Sequence, residues 1–110
     1  VGYYLPAPCH KDASWSGKRE TIAELGYGTA VIYVGQQAWG RTTNPTGAQA
    51  ERARRQGKQC DAAFMGAAQG RAEADDAIAK TAAEGFAPGT VIFLDVERME
   101  RVPQAMRDYY

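Results

Sequence analysis

The 110-residue chain predicts an α/β fold with a parallel sheet, on three observations. Strand-like and helix-like segments alternate along its length, the rhythm of βα repetition with right-handed crossovers. Thr29 to Val34 is apolar on both faces, as in a parallel strand covered by helices. The stretch Val91-Ile92-Phe93-Leu94-Asp95-Val96-Glu97 runs apolar from a Pro88-Gly89 turn and then presents two carboxylates. That end of a buried strand is where α/β folds keep their chemistry.

Taken in order, Val1 to Leu5 reads as a first strand, stopped by Pro6 and Pro8, which cannot continue a ladder. A helix is expected over Gly17 to Leu25, with Ser16 as N-cap, Gly26 after its end, and Ile22 and Leu25 in i, i+3 contact. After the second strand comes a polar loop, Gln36 to Pro45. Thr46 and Gln49 have the spacing of a capping box and open a helix to about Gln56. Lys58 to Ala68 is either a short strand around Cys60 to Met65 or irregular. Arg71 to Glu84 reads as a helix with a small-residue stripe at Ala74, Ala77, Ile78 and Ala82. Pro103 fits the first turn of a last helix.

With 45% hydrophobic and 24% charged residues, residues 1–110 compose one ordinary globular domain. Lys+Arg and Asp+Glu both total 13, so no basic excess points to a nucleic-acid partner or a membrane surface. No apolar run approaches the ~18 residues of a membrane span. No charged-then-apolar leader opens the chain. Strand residues at the start and helix residues at the end, without polar tails, read as a fragment of a longer domain or a chain processed at both ends. Cys9 and Cys60 are either a disulfide or two unrelated thiols. His10 is the only histidine and no Cys-x-x-Cys spacing occurs, so neither a metal nor a cofactor is expected.

Asp95 and Glu97 are the candidate catalytic residues. At i and i+2 of a strand they share a face, with Cα atoms about 7 Å apart, a spacing suited to acid/base work on a glycosidic bond. The structural alternative is a helix cap or an ion pair with Arg98 or Arg101. Tyr4, Trp15, Tyr33 and Trp39 lie at or just past the ends of the first two strands, on the same rim, and with Gln36 are the candidate sugar contacts. Core and loop packing competes with that reading, most of all for Tyr4 and Tyr33. Gly35 to Thr42 has a G-x-x-x-x-G spacing, but Arg41 replaces the lysine of a phosphate loop and Asn44-Pro45 blocks an immediate helix. No G-x-S-x-G occurs, and Cys9-His10 adjacency is not a catalytic dyad.

Several segments together resemble a known family: Gly2-Tyr3-Tyr4-Leu5, Val31-Ile32-Tyr33-Val34-Gly35-Gln36, Asp75-Asp76-Ala77, Glu84-Gly85-Phe86, and Pro88 through Glu97. It is the glycoside-hydrolase-like domain of unknown function of exported bacterial proteins, similar in turn to the family 25 lysozyme-type muramidases. The resemblance implies a (β/α)8 TIM-barrel-type fold, of which this chain would cover about the first half, since a complete barrel takes about 250 residues. It also implies a secreted or cell-envelope protein whose substrate is cell-wall polysaccharide or peptidoglycan. Glu97 would be the general acid and Asp95 its assistant. The muramidases carry a first-strand acid in a Gly-x-Asp pattern, whereas here Gly2-Tyr3-Tyr4 places Tyr4 at that position. This departure motivates the alternative of a non-catalytic carbohydrate-binding module.

Overall fold

The computed structural model describes residues 1–39, 43–97 and 101–110. Three strands, β1 (Gly2–Tyr4), β2 (Ala30–Tyr33) and β3 (Ile92–Leu94), form one parallel sheet in the order β1-β2-β3. Between them run α1 (Arg19–Glu24), α2 (Gly47–Arg55), a 3-10 turn (Ala62–Phe64) and α3 (Ala67–Ala83), with α4 (Gln104–Tyr109) after the last strand.

The barrel-type architecture is therefore corrected: the chain forms a three-stranded open sheet, neither a barrel nor a half barrel. Cys60 to Met65 does not supply a strand. The Asp61 carboxylate accepts the Ala63 N–H and caps a 3-10 turn instead, and β3 pairs directly with β2. Three strands are too few to close a sheet on itself.

Because the strand order never reverses, right-handed crossovers put both connections on one side. Register shows the consequence, pairing Tyr3 with Val31 and Val31 with Ile92 on the helix-covered face. There Tyr3, Leu5, Val31 and Tyr33 pack with Ile22 of α1 and Ala77 of α3. The opposite face carries Tyr4, Ile32 and Phe93, none of which joins that core cluster among the described residues. The expectation that Val91 to Glu97 is a buried strand fails for this reason: β3 is an edge, and Val91 and Phe93 are 65% and 54% exposed.

The helices repay inspection residue by residue. The Thr46–Gln49 capping box forms in full, with both reciprocal bonds, at the start of α2. Pro103 sits just ahead of α4. On α1 the expected Ser16 cap and Gly17 start are displaced to Lys18, because Gly17 adopts φ 73° and gives its N–H to the Glu84 carboxylate at 2.7 Å. Leu25, expected inside, is exposed.

On α3 the buried stripe is Gly70, Glu73, Ala77 and Thr81; of the expected set only Ala77 is in it, Ala74 and Ala82 are exposed, and Ile78 faces solvent. Two of the four are polar. Glu73 accepts hydrogen bonds, and the Thr81 hydroxyl donates to the Ala77 carbonyl at 2.7 Å. An apolar pattern misses a face that is closed by satisfied polar groups.

Among the long-range ties are a hydrogen bond and a disulfide. The Tyr3 hydroxyl donates to Glu84 at the end of α3 at 2.5 Å. Cys9 and Cys60 are disulfide-bonded, 51 residues apart in sequence, joining the loop after β1 to the segment after α2. Closing a loop of that size contributes about 4 kcal/mol in the chain-entropy model. Reducing the bond, or replacing Cys9 and Cys60 together by serine, is expected to lower the unfolding free energy by about that amount. Urea denaturation with and without dithiothreitol measures the change.

Candidate functional site

Past Ala30–Tyr33 the chain continues as Val34-Gly35-Gln36-Gln37, and the two glutamines build the site. Successive residues point to opposite sides. Gln36 and Gln37 are both fully enclosed, which is costly for amides unless their hydrogen bonds are met. Each is met in a different direction.

Gln36 serves the helical side. Its Nε2 donates to the Gln59 carbonyl at 2.9 Å and to Glu73 Oε1 at 2.7 Å, and its Oε1 accepts the Asp61 N–H at 2.9 Å. Its backbone N–H donates to the Tyr109 hydroxyl at 2.9 Å, and that hydroxyl donates in turn to the buried Glu73.

Gln37 serves the strand side. Its Nε2 donates to the Asp95 carbonyl at 2.7 Å and, more weakly, to that of Gly35 at 3.3 Å. Its Oε1 accepts the Glu97 N–H at 2.9 Å. Asp95 also gives its own N–H to the Tyr33 carbonyl at 3.0 Å. The Asp95-Val96-Glu97 backbone thus continues β3 past its last residue, with one side-chain amide standing in for a neighbouring strand. Sequence reasoning singled out Gln36 and passed over Gln37; a glutamine pair directly after an apolar strand was the available signal.

The two acids emerge exposed at the C-terminal end of the sheet. Asp95 lies on the face opposite the core, where it lines an open groove of about 400 Å³ with Tyr4, Ile32 and Phe93. Tyr4 stacks on His10, ring centroids 5.0 Å apart. The imidazole Nε2 of His10 is buried there without a hydrogen-bond partner among the described residues. Trp39 stands 54% exposed beyond the glutamines, with φ 42°. That left-handed backbone is uncommon for a bulky side chain and is found most often at working sites.

The structure separates the remaining candidates from this groove. Tyr33 is buried on the helical face and donates to Asp76 at 2.8 Å. Trp15 packs against Tyr3 in the main core, centroids 6.1 Å apart. Gln36 is consumed by the network above. Of the expected rim, Tyr4 and Asp95 come together, Glu97 follows on the same held segment, and Trp15, Tyr33 and Gln36 lie elsewhere. Gly40, Arg41 and Thr42 of the candidate phosphate loop, and Arg98 of the candidate ion pair, lie outside the described residues. The helix that follows that loop starts only at Gly47.

Tyrosines surround the glutamines, and four have raised pKa values. Burial pushes the Tyr3 hydroxyl up to about 12, helped by its bond to Glu84. Burial does the same for Tyr110, also to about 12, with the charges of Glu73 and then Asp95 adding to it. Tyr33 and Tyr109 move further in the same direction through burial and their bonds to Asp76 and Glu73. Tyr110 also donates to the Gln36 carbonyl at 3.3 Å, so it joins the network to Asp95.

A protein-family model described as "Rv2525c-like, glycoside hydrolase-like domain" matches residues 1–109. No curated protein and no solved structure matches the chain. No helix among the described residues is long and apolar enough to cross a membrane.

Two outcomes follow from this geometry. Gln37→Ala strands the Asp95 carbonyl and the Glu97 N–H, at a cost of about 1–3 kcal/mol, and the Glu97 amide should exchange with deuterium faster than in the wild type. Raised tyrosine pKa values stabilise the fold fully below the unfolded value of about 10, and that contribution disappears as pH climbs through the folded values. The unfolding free energy should therefore fall between pH 10 and about 12, with Tyr3 and Tyr110 ionising late in a tyrosinate absorbance titration.

Proposed function

The chain belongs to the Rv2525c-like, glycoside hydrolase-like domain family, and on that premise we propose that it acts on bacterial cell-wall polysaccharide by acid/base hydrolysis at Asp95 and Glu97. One observation carries the proposal: a buried glutamine fixes the backbone of both acids at the open C-terminal end of a parallel sheet. Catalytic groups gain from being held by residues that are themselves fully packed.

In this reading Glu97 donates its proton to the glycosidic oxygen as the bond from that oxygen to the anomeric carbon breaks. The Asp95 carboxylate faces the positive charge developing on the sugar ring or orients the attacking water. Tyr4 and the exposed Trp39 offer ring faces on which saccharides stack. Tyr33, Trp15 and Gln36 have no part in the cleft, since they face the helical layer. The Cys9–Cys60 disulfide supports a secreted or cell-envelope location, because such bonds persist in oxidising compartments.

A second reading, saccharide binding without turnover, is favoured by Tyr4 and its stacked partner His10, which occupy the end of β1 where an acid would complete a muramidase site. The two readings part on one comparison. With peptidoglycan or chitooligosaccharides as substrate, Glu97→Gln in the full-length protein should lose turnover by about a hundredfold or more. Equal rates for the two proteins would overturn hydrolysis at this site. Binding that survives Glu97→Gln but weakens in Trp39→Ala, without turnover in either, would establish the second reading.

A further inference from the structure

On the helical side of the sheet, away from Asp95, a groove of about 520 Å³ opens between the loop after β1 and the α2–α3 region. Its floor is apolar, made by Pro6, Pro8 and Phe64. Its rim is cationic: Lys11, Arg54, Lys58 and Lys80 line it, against the single acid Asp76. That acid is already engaged by the Tyr33 hydroxyl at 2.8 Å and by Lys80 at 2.6 Å. Four cations to one acid is a local excess in a chain whose formal net charge is zero.

The cations differ in how free they are. Lys58 is paired with Asp61 at 2.8 Å. Lys80 is pinned by Asp76 and by the Pro6 carbonyl at 2.7 Å, so its charge is fixed in place with one N–H unspent. Arg54 lies over the Phe64 ring at 5.5 Å and meets Glu51 only at 3.9 Å, between two exposed side chains. A contact of that kind contributes little and leaves the guanidinium available. Lys11 makes no ion pair among the described residues.

The walls are not free to drift apart. Lys11 follows Cys9 by two residues and Lys58 precedes Cys60 by two, and those cysteines are bonded to each other. A covalent tie across the groove sets the spacing of its cations before any ligand arrives, which lowers the ordering cost of binding.

We infer that this groove is a second saccharide-binding site, selective for acid-bearing glycan chains. The Pro6 and Pro8 rings suit the C–H faces of sugar rings, and Lys11, Arg54 and Lys80 suit a carboxylate or phosphodiester carried on the chain. The choice of a glycan rests on the proposed function, whereas the selectivity for anions rests on the groove alone. Such a site would hold an acidic polymer on the helical side of the sheet, without touching Asp95 or Glu97.

The test is amide-shift mapping by NMR on the full chain, with three probes. These are oligogalacturonate as the carboxylate form, an oligomeric glycerol phosphate as the phosphodiester form, and neutral chitotetraose. At least one acidic probe should shift residues around Lys11, Arg54, Phe64 and Lys80, and which one does so identifies the anion. Binding should weaken with added salt and fall on the order of tenfold in Lys11→Ala/Arg54→Ala, whose side chains are exposed. Chitotetraose should leave the groove unshifted. Absence of groove shifts with both acidic probes up to millimolar concentration, or undiminished affinity in the double variant, overturns the inference. If chitotetraose still shifts Tyr4, Phe93 and Asp95 in that case, the proposed function stands while the second site fails; if no probe shifts either region, both fall.

Discussion

The geometry of the candidate site depends on two buried amides side by side. A primary amide enclosed in protein has two donors and an acceptor to satisfy, and each failure costs about 1–3 kcal/mol. Gln36 and Gln37 meet the requirement by binding backbone that has no regular partner of its own: Gln59 and Asp61 on one side, Asp95 and Glu97 on the other. Segments that would otherwise be loops are thereby ordered. The same residues link the helical layer to the sheet edge, because Gln36 reaches Glu73 on α3 and Tyr109 on α4. An apolar pair at these positions would fill the space and leave four backbone groups stranded.

Much of the local structure was readable from residue types whose chemistry acts over a few neighbours. Thr46 with Gln49, Pro103 before α4, and the apolar runs of β1 and β2 behave as their local rules require. Failures came where tertiary hydrogen bonds override a pattern. Gly17 is claimed by Glu84 from across the fold, Ala62–Phe64 is curled by Asp61, and the inward face of α3 is set by Glu73 and Thr81. The barrel was an implication of the resemblance rather than of any residue pattern, and the three-stranded open sheet of the described residues does not bear it out. For the site, the acids were legible as charges closing an apolar strand. Their holder was signalled only by a glutamine pair just past an apolar strand, and residue type alone does not say that such amides are buried or which backbone they bind. Period-2 alternation also separates Tyr4 from Tyr33, yet which of two faces lies opposite the core depends on crossover direction rather than on either tyrosine.

The face opposite the core gives the molecule its two sides. With Ile22 of α1 and Ala77 of α3 packed on one side of the sheet, Tyr4, Ile32 and Phe93 line a groove on the other, leading toward Asp95. The helical side carries the disulfide and a cationic groove with an apolar floor. For a member of a glycoside hydrolase-like family, the arrangement separates the residues suited to chemistry from those suited to holding charge. Gln36 and Gln37 stand between the two.

The docking of α4 places a constraint on how this sequence can drift. A methyl group on Gly35 would collide with the Tyr109 hydroxyl, and one on Gly70 would collide with the Tyr109 backbone. Neither glycine is in a left-handed conformation, so each is required by proximity alone. At position 35 loss of the hydroxyl, as with phenylalanine at 109, removes the worst clash and leaves the ring Cζ and Glu73 each 3.2 Å away to give slightly, but Gln36 and Glu73 would then lose a partner. At position 70 no change of the Tyr109 side chain makes room, because the obstacle is main chain. The first glycine is thus tied to a neighbour and can exchange only in company; the second is tied to the path of the backbone and should outlast its surroundings.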